Sequence, residues 1–200
     1  MPYGVDFKAG RNQNTYKYFI DFASENNIPY SLIDEGWAKS GHNPFETNPS
    51  VDMKELIKYA NSKNVKLILW LPWLAAENNL ETLFKTYAEW GVAGVKIDFM
   101  ERNDQWMVNY YERVAKEAAT NKQIVLFHGS FKPAGLEFAY PNVLSYEGVR
   151  GLEWKGAATA DNGMFLPFMR NAVGPMDYTP GAMVSLQPEQ HNNLDIPYYL

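Results

Sequence analysis

Apolar residues recur along this chain in two alternating rhythms. Over 12–27, Tyr16, Phe19, Ile20 and Ala23 fall at i, i+3, i+4 and i+7, which is the spacing of one helical face. The same spacing predicts a helix over 51–63, through Met53, Leu56, Ile57 and Ala60. Another is predicted from Leu80 to Tyr87, opened by an Asn78 N-cap with Glu81 and stopped by Gly91. A further helix spans 103–120, with Met107, Tyr110, Tyr111, Val114 and Ala118 on one stripe, and a short one lies near 164–172. Between them run short segments rich in β-branched and aromatic residues: 29–34, 65–73, 94–100, 123–129 and 142–148, with a weaker one at 176–183. These read as strands, and "VKLILWLPW" is apolar enough to be buried on both faces. The stretch "EGWAKSGHNPFETNPS" reads as a loop.

Strands alternating with helices over short connections predict an α/β fold with a parallel sheet. A doubly wound sheet and a (β/α)8 barrel of the TIM type both fit. Polar residues at the C-terminal ends of successive strands favour the barrel: Asp34 and Glu35, Trp70 and Trp73, Lys96 and Asp98, His128, then Glu147. In a barrel these ends converge on one mouth. No glycine-rich phosphate loop is present, which weakens the nucleotide-binding alternative. About six strands are predicted where a closed barrel needs eight. The expectation is therefore one partial barrel over 1–200, with a tail at 184–200 that follows neither helical nor strand periodicity.

Composition narrows the function classes. The chain is 46% hydrophobic and 20% charged, with a net charge of −5, enough for a sizeable core and without a basic footprint for nucleic acid or an anionic membrane. The absence of cysteine removes disulfides, cysteine-based metal sites and thiol nucleophiles. The first residues, "MPYGVDFKAG", lack the apolar core of a signal peptide, and no apolar run approaches the roughly 20 residues of a membrane span. Aromatic residues make up 15% of the chain, six of them Trp. Most suit the core, and some suit stacking against a sugar ring.

Among the polar strand ends, Asp98 is the leading candidate for chemistry. Lys96 and Asp98 are two residues apart, so both point to one face of their strand. A carboxylate beside a cation suits a nucleophile. The plainer alternatives are a helix cap, or an ion pair with Lys96 or Arg102. Glu147 and Glu153 follow in "YEGVRGLEWKG". Beside Trp154, Glu153 has the apolar setting that keeps a carboxylic acid protonated. A retaining glycosidase uses two such groups about 5–5.5 Å apart, one attacking and one donating a proton. Asp34 and Glu35 can accept hydrogen bonds from sugar hydroxyls, and Asp34 can equally close a turn with Gly36. His128 is a candidate sugar donor or a satisfied core residue, and Trp70 a candidate platform or core residue.

The ordered motifs "YGVDFKAG", "YSLIDEGW", "GVAGVKIDFM", "LFHGSFKPAG", "LSYEGVRGLEW" and "NAVGPMDYTPGAM" resemble glycoside hydrolase family 97, in its retaining α-galactosidase-like branch, from about Tyr3 to Met183. The resemblance implies a calcium-dependent, exo-acting hydrolase of α-glycosides with a (β/α)8 catalytic barrel between two β-rich domains. It implies Asp98 as nucleophile, Glu153 as general acid/base and Glu147 as a calcium ligand. Asp34, Glu35, Lys96 and His128 match substrate-pocket positions. The inverting α-glucosidase branch carries a glutamate directly after the strand-end histidine, where this chain has Gly129. That difference implies retention of configuration.

The expected function is hydrolysis of terminal α-galactosides through a covalent glycosyl-enzyme, on an oligosaccharide substrate. The alternatives are a non-catalytic sugar-binding or structural remnant, possibly a homo-oligomer through exposed sheet edges, and an α-glucosidase. The resemblance also implies a periplasmic or exported location.

Overall fold

The structure, a computed structural model, describes residues 12–152 and 158–180. Glu153 and the tail at 184–200 lie outside the described residues, as do positions 1–11 and 181–183. The first helix, α1 (Gln13–Glu25), is capped by Asn12, whose side chain accepts from the Thr15 N–H. It buries Tyr16, Ile20 and Ala23, while Phe19, predicted to face inward, is 45% exposed. Strand β1 (Tyr30–Ile33) follows.

The segment read as a loop contains a hairpin, β2 (Ala38–Ser40) and β3 (Asn43–Thr47), turning at Gly41 and His42. Its few strand residues sit among turn formers, so periodicity hides them. A buried tertiary contact holds it, the Tyr87 hydroxyl donating to the Pro44 carbonyl at 2.8 Å, and its own ends are closed by the Asn48 N–H donating to the Trp37 carbonyl, also at 2.8 Å.

Helix α2 (Met53–Ser62) is capped by Asp52 and buries the four residues its periodicity selected. Strand β4 (Lys66–Pro72) runs through the core and Pro72 ends it, starting a short helix, α3 (Trp73–Glu77). Asn78 closes α3, so Asn79 takes the cap position of α4 (Leu80–Trp90), without a side-chain cap bond. Gly91 stops α4 at φ +86°, as its sequence predicts. Strand β5 (Gly94–Asp98), helix α5 (Gln105–Thr120, capped by Asp104), strand β6 (Ile124–Phe127), a short helix α6 (Leu136–Ala139), strand β7 (Val143–Tyr146) and helix α7 (Ala160–Arg170) complete the order.

The five strands β1, β4, β5, β6 and β7 form one parallel sheet in that order. Of the sixth predicted strand, 176–183, the described residues 176–180 contribute a parallel bridge between Tyr146 and Met176. Among the described strands the order never reverses, whereas a doubly wound sheet needs a reversal point. One face of the sheet, through Leu67, Leu69, Leu71, Val95 and Ile97, packs with Leu56, Phe84, Tyr87, Met107, Tyr110 and Val114 of the helices in a single core. Each such side chain contributes about 1.5–3 kcal/mol when fully buried. The other face carries the intervening residues, Trp70 and Lys96 among them. Among the described residues no helix is long and apolar enough to cross a membrane.

Candidate active site

Parallel strands all end at the same edge of a sheet, so their last residues are neighbours however far apart in sequence. In this chain that edge is a cavity of about 460 Å³. Seven of the eight candidate residues line it: Asp34 after β1, Glu35 beside it, Trp70 on β4, Lys96 and Asp98 on β5, His128 after β6, and Glu147 after β7. Phe99, Glu101, Gly129 and Thr179 complete the lining.

The register explains the central group. Trp70 lies opposite Lys96, and Pro72 opposite Asp98. The Trp70 indole Nε1–H donates to Asp98 Oδ2 at 2.9 Å. The other oxygen, Oδ1, accepts from the Phe99 backbone N–H at 2.8 Å. Both donors are neutral N–H groups. The Lys96 ammonium is 3.9 Å from Asp98 Oδ2 and closer to Asp34, at 2.7 Å from Oδ2. Arg102, considered as a partner for Asp98, pairs with Asp104 at 2.7 Å instead. Asp98 and Lys96 are each 13% exposed at the side chain, and Asp34 is 53% exposed. The pair thus reaches from the cavity floor to its open rim.

Backbone strain gathers at the same place. Phe99 and Glu101 hold φ of +68° and +45°, conformations that non-glycine residues rarely adopt. The turn they make ends β5 at Asp98, two residues earlier than predicted. Gly129 fits against it at φ +53°. A Cβ there would lie 2.8 Å from the Phe99 nitrogen and 3.3 Å from Asp98 Oδ1, so only glycine fits. The Gly129 carbonyl in turn accepts from the Glu101 N–H at 2.7 Å.

On the far side, His128 Nε2 is 2.6 Å from Asp177 Oδ2, and Nδ1 is 4.0 Å from Glu147 Oε1. The hydrogen bond from His128 is the main reason the Asp177 carboxyl is held below its ordinary value. Desolvation opposes this, while the charges of His128 and Lys96 reinforce it. Glu147 Oε2 accepts from the Gly129 N–H at 2.8 Å. Behind them Arg170, 6% exposed, donates to the carbonyls of Tyr146, Glu147, Gly148, Gly174 and Pro175. Desolvation lowers its pKa from the usual arginine value. Sequence reasoning passed over Asp177 and Arg170. The signal available for Arg170 was a lone cation in the apolar run "MFLPFMRNAV". For Asp177, in the weaker strand, no local signal existed.

Comparison with known proteins decides the family. The profile described as Glycoside hydrolase 97 matches residues 1–149. The chain belongs to glycoside hydrolase family 97. A relative named "Retaining alpha-galactosidase", from Bacteroides thetaiotaomicron, is 47% identical over 186 residues, covering 90% of this chain and 28% of that protein. A "Probable retaining alpha-galactosidase" from Streptomyces bingchenggensis is 35% identical over 180 residues, covering 87% of this chain and again 28% of the relative. This family 97 chain therefore spans little more than a quarter of the curated relatives it matches. A family 97 enzyme from Pseudoalteromonas sp. strain K8, solved with acarbose, superposes with a TM-score of 0.76 at 26% identity, over 88% of this chain and 32% of that one.

The family resemblance implies a calcium ion. Calcium takes six to eight oxygen ligands. Among the described residues no set of three or more His, Asp or Glu side chains could hold a metal ion, and Glu147 Oε2 already accepts from the Gly129 N–H. The described residues alone do not fit the ion.

Proposed function

We propose that this chain carries the catalytic face of a retaining glycoside hydrolase acting on terminal α-galactosides of oligosaccharides, and that its open sheet is part of a (β/α)8 barrel. In the first step Asp98 attacks the anomeric carbon, while the acid Glu153 protonates the departing glycosidic oxygen. In the second, Glu153 takes a proton from water, the water oxygen attacks the anomeric carbon, and the Asp98–sugar bond breaks. Asp34, Glu35, Lys96 and His128 bind the sugar hydroxyls.

One observation carries this reading. Asp98 sits in a cavity at a strand end with both carboxylate oxygens held by N–H donors. A nucleophile fixed in this way loses little freedom on attack. The names of the two curated relatives support galactose and retention. Gly129 supports retention independently, because its backbone leaves no room for the base that the inverting branch carries at that position.

The test is to trap the intact protein with a fluorinated α-galactoside, digest it and sequence the labelled peptide. The label is expected on Asp98. A label on any other residue overturns the assignment, and rapid turnover of an α-glucoside in place of the galactoside overturns the substrate.

A further inference from the structure

We infer that Trp70 is a positioning residue for the Asp98 carboxylate, and that its indole N–H governs breakdown of the glycosyl-enzyme. The inference rests on the proposed role of Asp98 as nucleophile and adds what controls it. The sequence offered Trp70 as a sugar platform or a core residue; it is 6% exposed, and its polar edge is turned to Asp98 rather than outward.

Trp70 is fixed through both its ring and its backbone. Its Nε1–H meets Asp98 Oδ2 at 2.9 Å. The Trp70 carbonyl accepts from Nε1–H of Trp37 at 2.7 Å, and Trp37 is itself 1% exposed. The edge-on contact with Phe99, centroids 5.7 Å apart and planes at 79°, joins the ring to the residue whose backbone N–H holds the other Asp98 oxygen. The Lys96 ammonium, the obvious alternative partner, is 3.9 Å from Oδ2 and 2.7 Å from Asp34. Trp70 is therefore the nearer side-chain donor to that oxygen.

The chemical consequence differs between the two steps. In the first step an ionised Asp98 forms a bond to the anomeric carbon and loses charge, so a donor on the carboxylate gives no net help. In the second step water attacks the anomeric carbon, its proton passes to Glu153, and the electron pair of the breaking bond returns to Asp98. Charge grows on the carboxylate as it leaves, and an N–H already aimed at Oδ2 stabilises it without reorganisation. A hydrogen bond to a charged group corresponds to roughly ten- to a hundredfold in rate.

The test compares Trp70→Phe, which keeps an aromatic ring and removes the donor, with Trp70→His, whose imidazole places an N–H at the equivalent ring position. The substrate is 2,4-dinitrophenyl α-galactoside, whose good leaving group makes the second step limiting. In the intact protein, Trp70→Phe is expected to lower kcat roughly ten- to a hundredfold. KM falls with it, because the glycosyl-enzyme accumulates, and mass spectrometry shows the galactosyl adduct at steady state. Trp70→His restores part of kcat and raises KM again. A packing role would lower activity in both variants without a fall in KM, and that result overturns the inference. An independent readout needs no turnover. The chain has six Trp residues, and Trp70→Phe identifies the Trp70 indole N–H signal in a ¹H–¹⁵N spectrum. Asp98→Asn is expected to move that signal most among the six, and an unmoved signal overturns the contact. A trapped label away from Asp98 removes the proposed function and this inference together. A label on Asp98 with unchanged kcat and KM in Trp70→Phe removes this inference alone.

Discussion

His128 and Asp177 meet at 2.6 Å between Nε2 and Oδ2, although 49 positions separate them. The contact joins the end of β6 to the segment after α7, beside the parallel bridge from Tyr146 to Met176, and it gives the imidazole a fixed orientation at the cavity wall. The charged and titratable groups facing this pair are Glu147 from the end of β7 and Lys96 from β5.

The first prediction concerns pH. Asp177 is held below its ordinary value of 3.8, chiefly by the His128 hydrogen bond. A depressed carboxylate stabilises the fold above its unfolded value and loses that contribution as pH falls through the folded one. Asp177→Asn is therefore expected to be less stable than the parent above about pH 5, with the gap closing below pH 4. The side chain is 41% exposed, so the gap is roughly 1 kcal/mol or less. Urea unfolding at pH 7 and pH 3 reads it, and a gap that widens with acid contradicts the assignment.

Gly129→Ala tests the fit between the β5 and β6 turns. The new methyl would stand 2.8 Å from the Phe99 nitrogen, on a backbone at φ +53°. A strained conformation of this kind costs about 1–3 kcal/mol. Relief by moving Phe99 would also displace the Oδ1 partner of Asp98. Lower unfolding midpoints together with at least tenfold lower turnover are expected. A neutral Gly129→Ala would show that the two turns are not tightly packed.

Arg170→Leu keeps apolar bulk and removes the donors to five carbonyls. Those carbonyls belong to the end of β7 and to the segment leading to Asp177. Losing charged donors to buried acceptors costs about 3 kcal/mol. Denaturant titration should show this loss. Proteolysis should open the region after α7 first, and a cost below about 1 kcal/mol would place Arg170 outside the supporting structure.

Lys96→Met separates function from stability. Its partner Asp34 is 53% exposed, so water replaces the lost ion pair at a cost of about 1 kcal/mol or less. Inside the cavity no other lysine lines the wall among the described residues. Expected is a fall of tenfold or more in kcat/KM on an aryl α-galactoside with a nearly unchanged unfolding midpoint. Equal losses in both would mark Lys96 as structural.

Local pattern determined much of this protein. Helical periodicity selected Leu56, Phe84, Tyr110 and Val114 for the core, and alternation with short apolar strands announced the parallel sheet. Because parallel strands share one polarity, the sequence alone gathers Asp34, Trp70, Lys96, Asp98, His128 and Glu147 at one edge. Other features had no local signal. The β2–β3 hairpin is held by Tyr87, from a helix 40 residues on, and Phe19 satisfies a helical period yet faces solvent. Trp70 is an apolar ring to any sequence pattern. That its N–H points to Asp98 depends on strand register. His128 meets Asp177 only because a segment after α7 returns along β7. Periodicity records which face a residue occupies, since that follows from its own backbone. Which group it then meets is set by segments distant in sequence, and so by the tertiary structure alone.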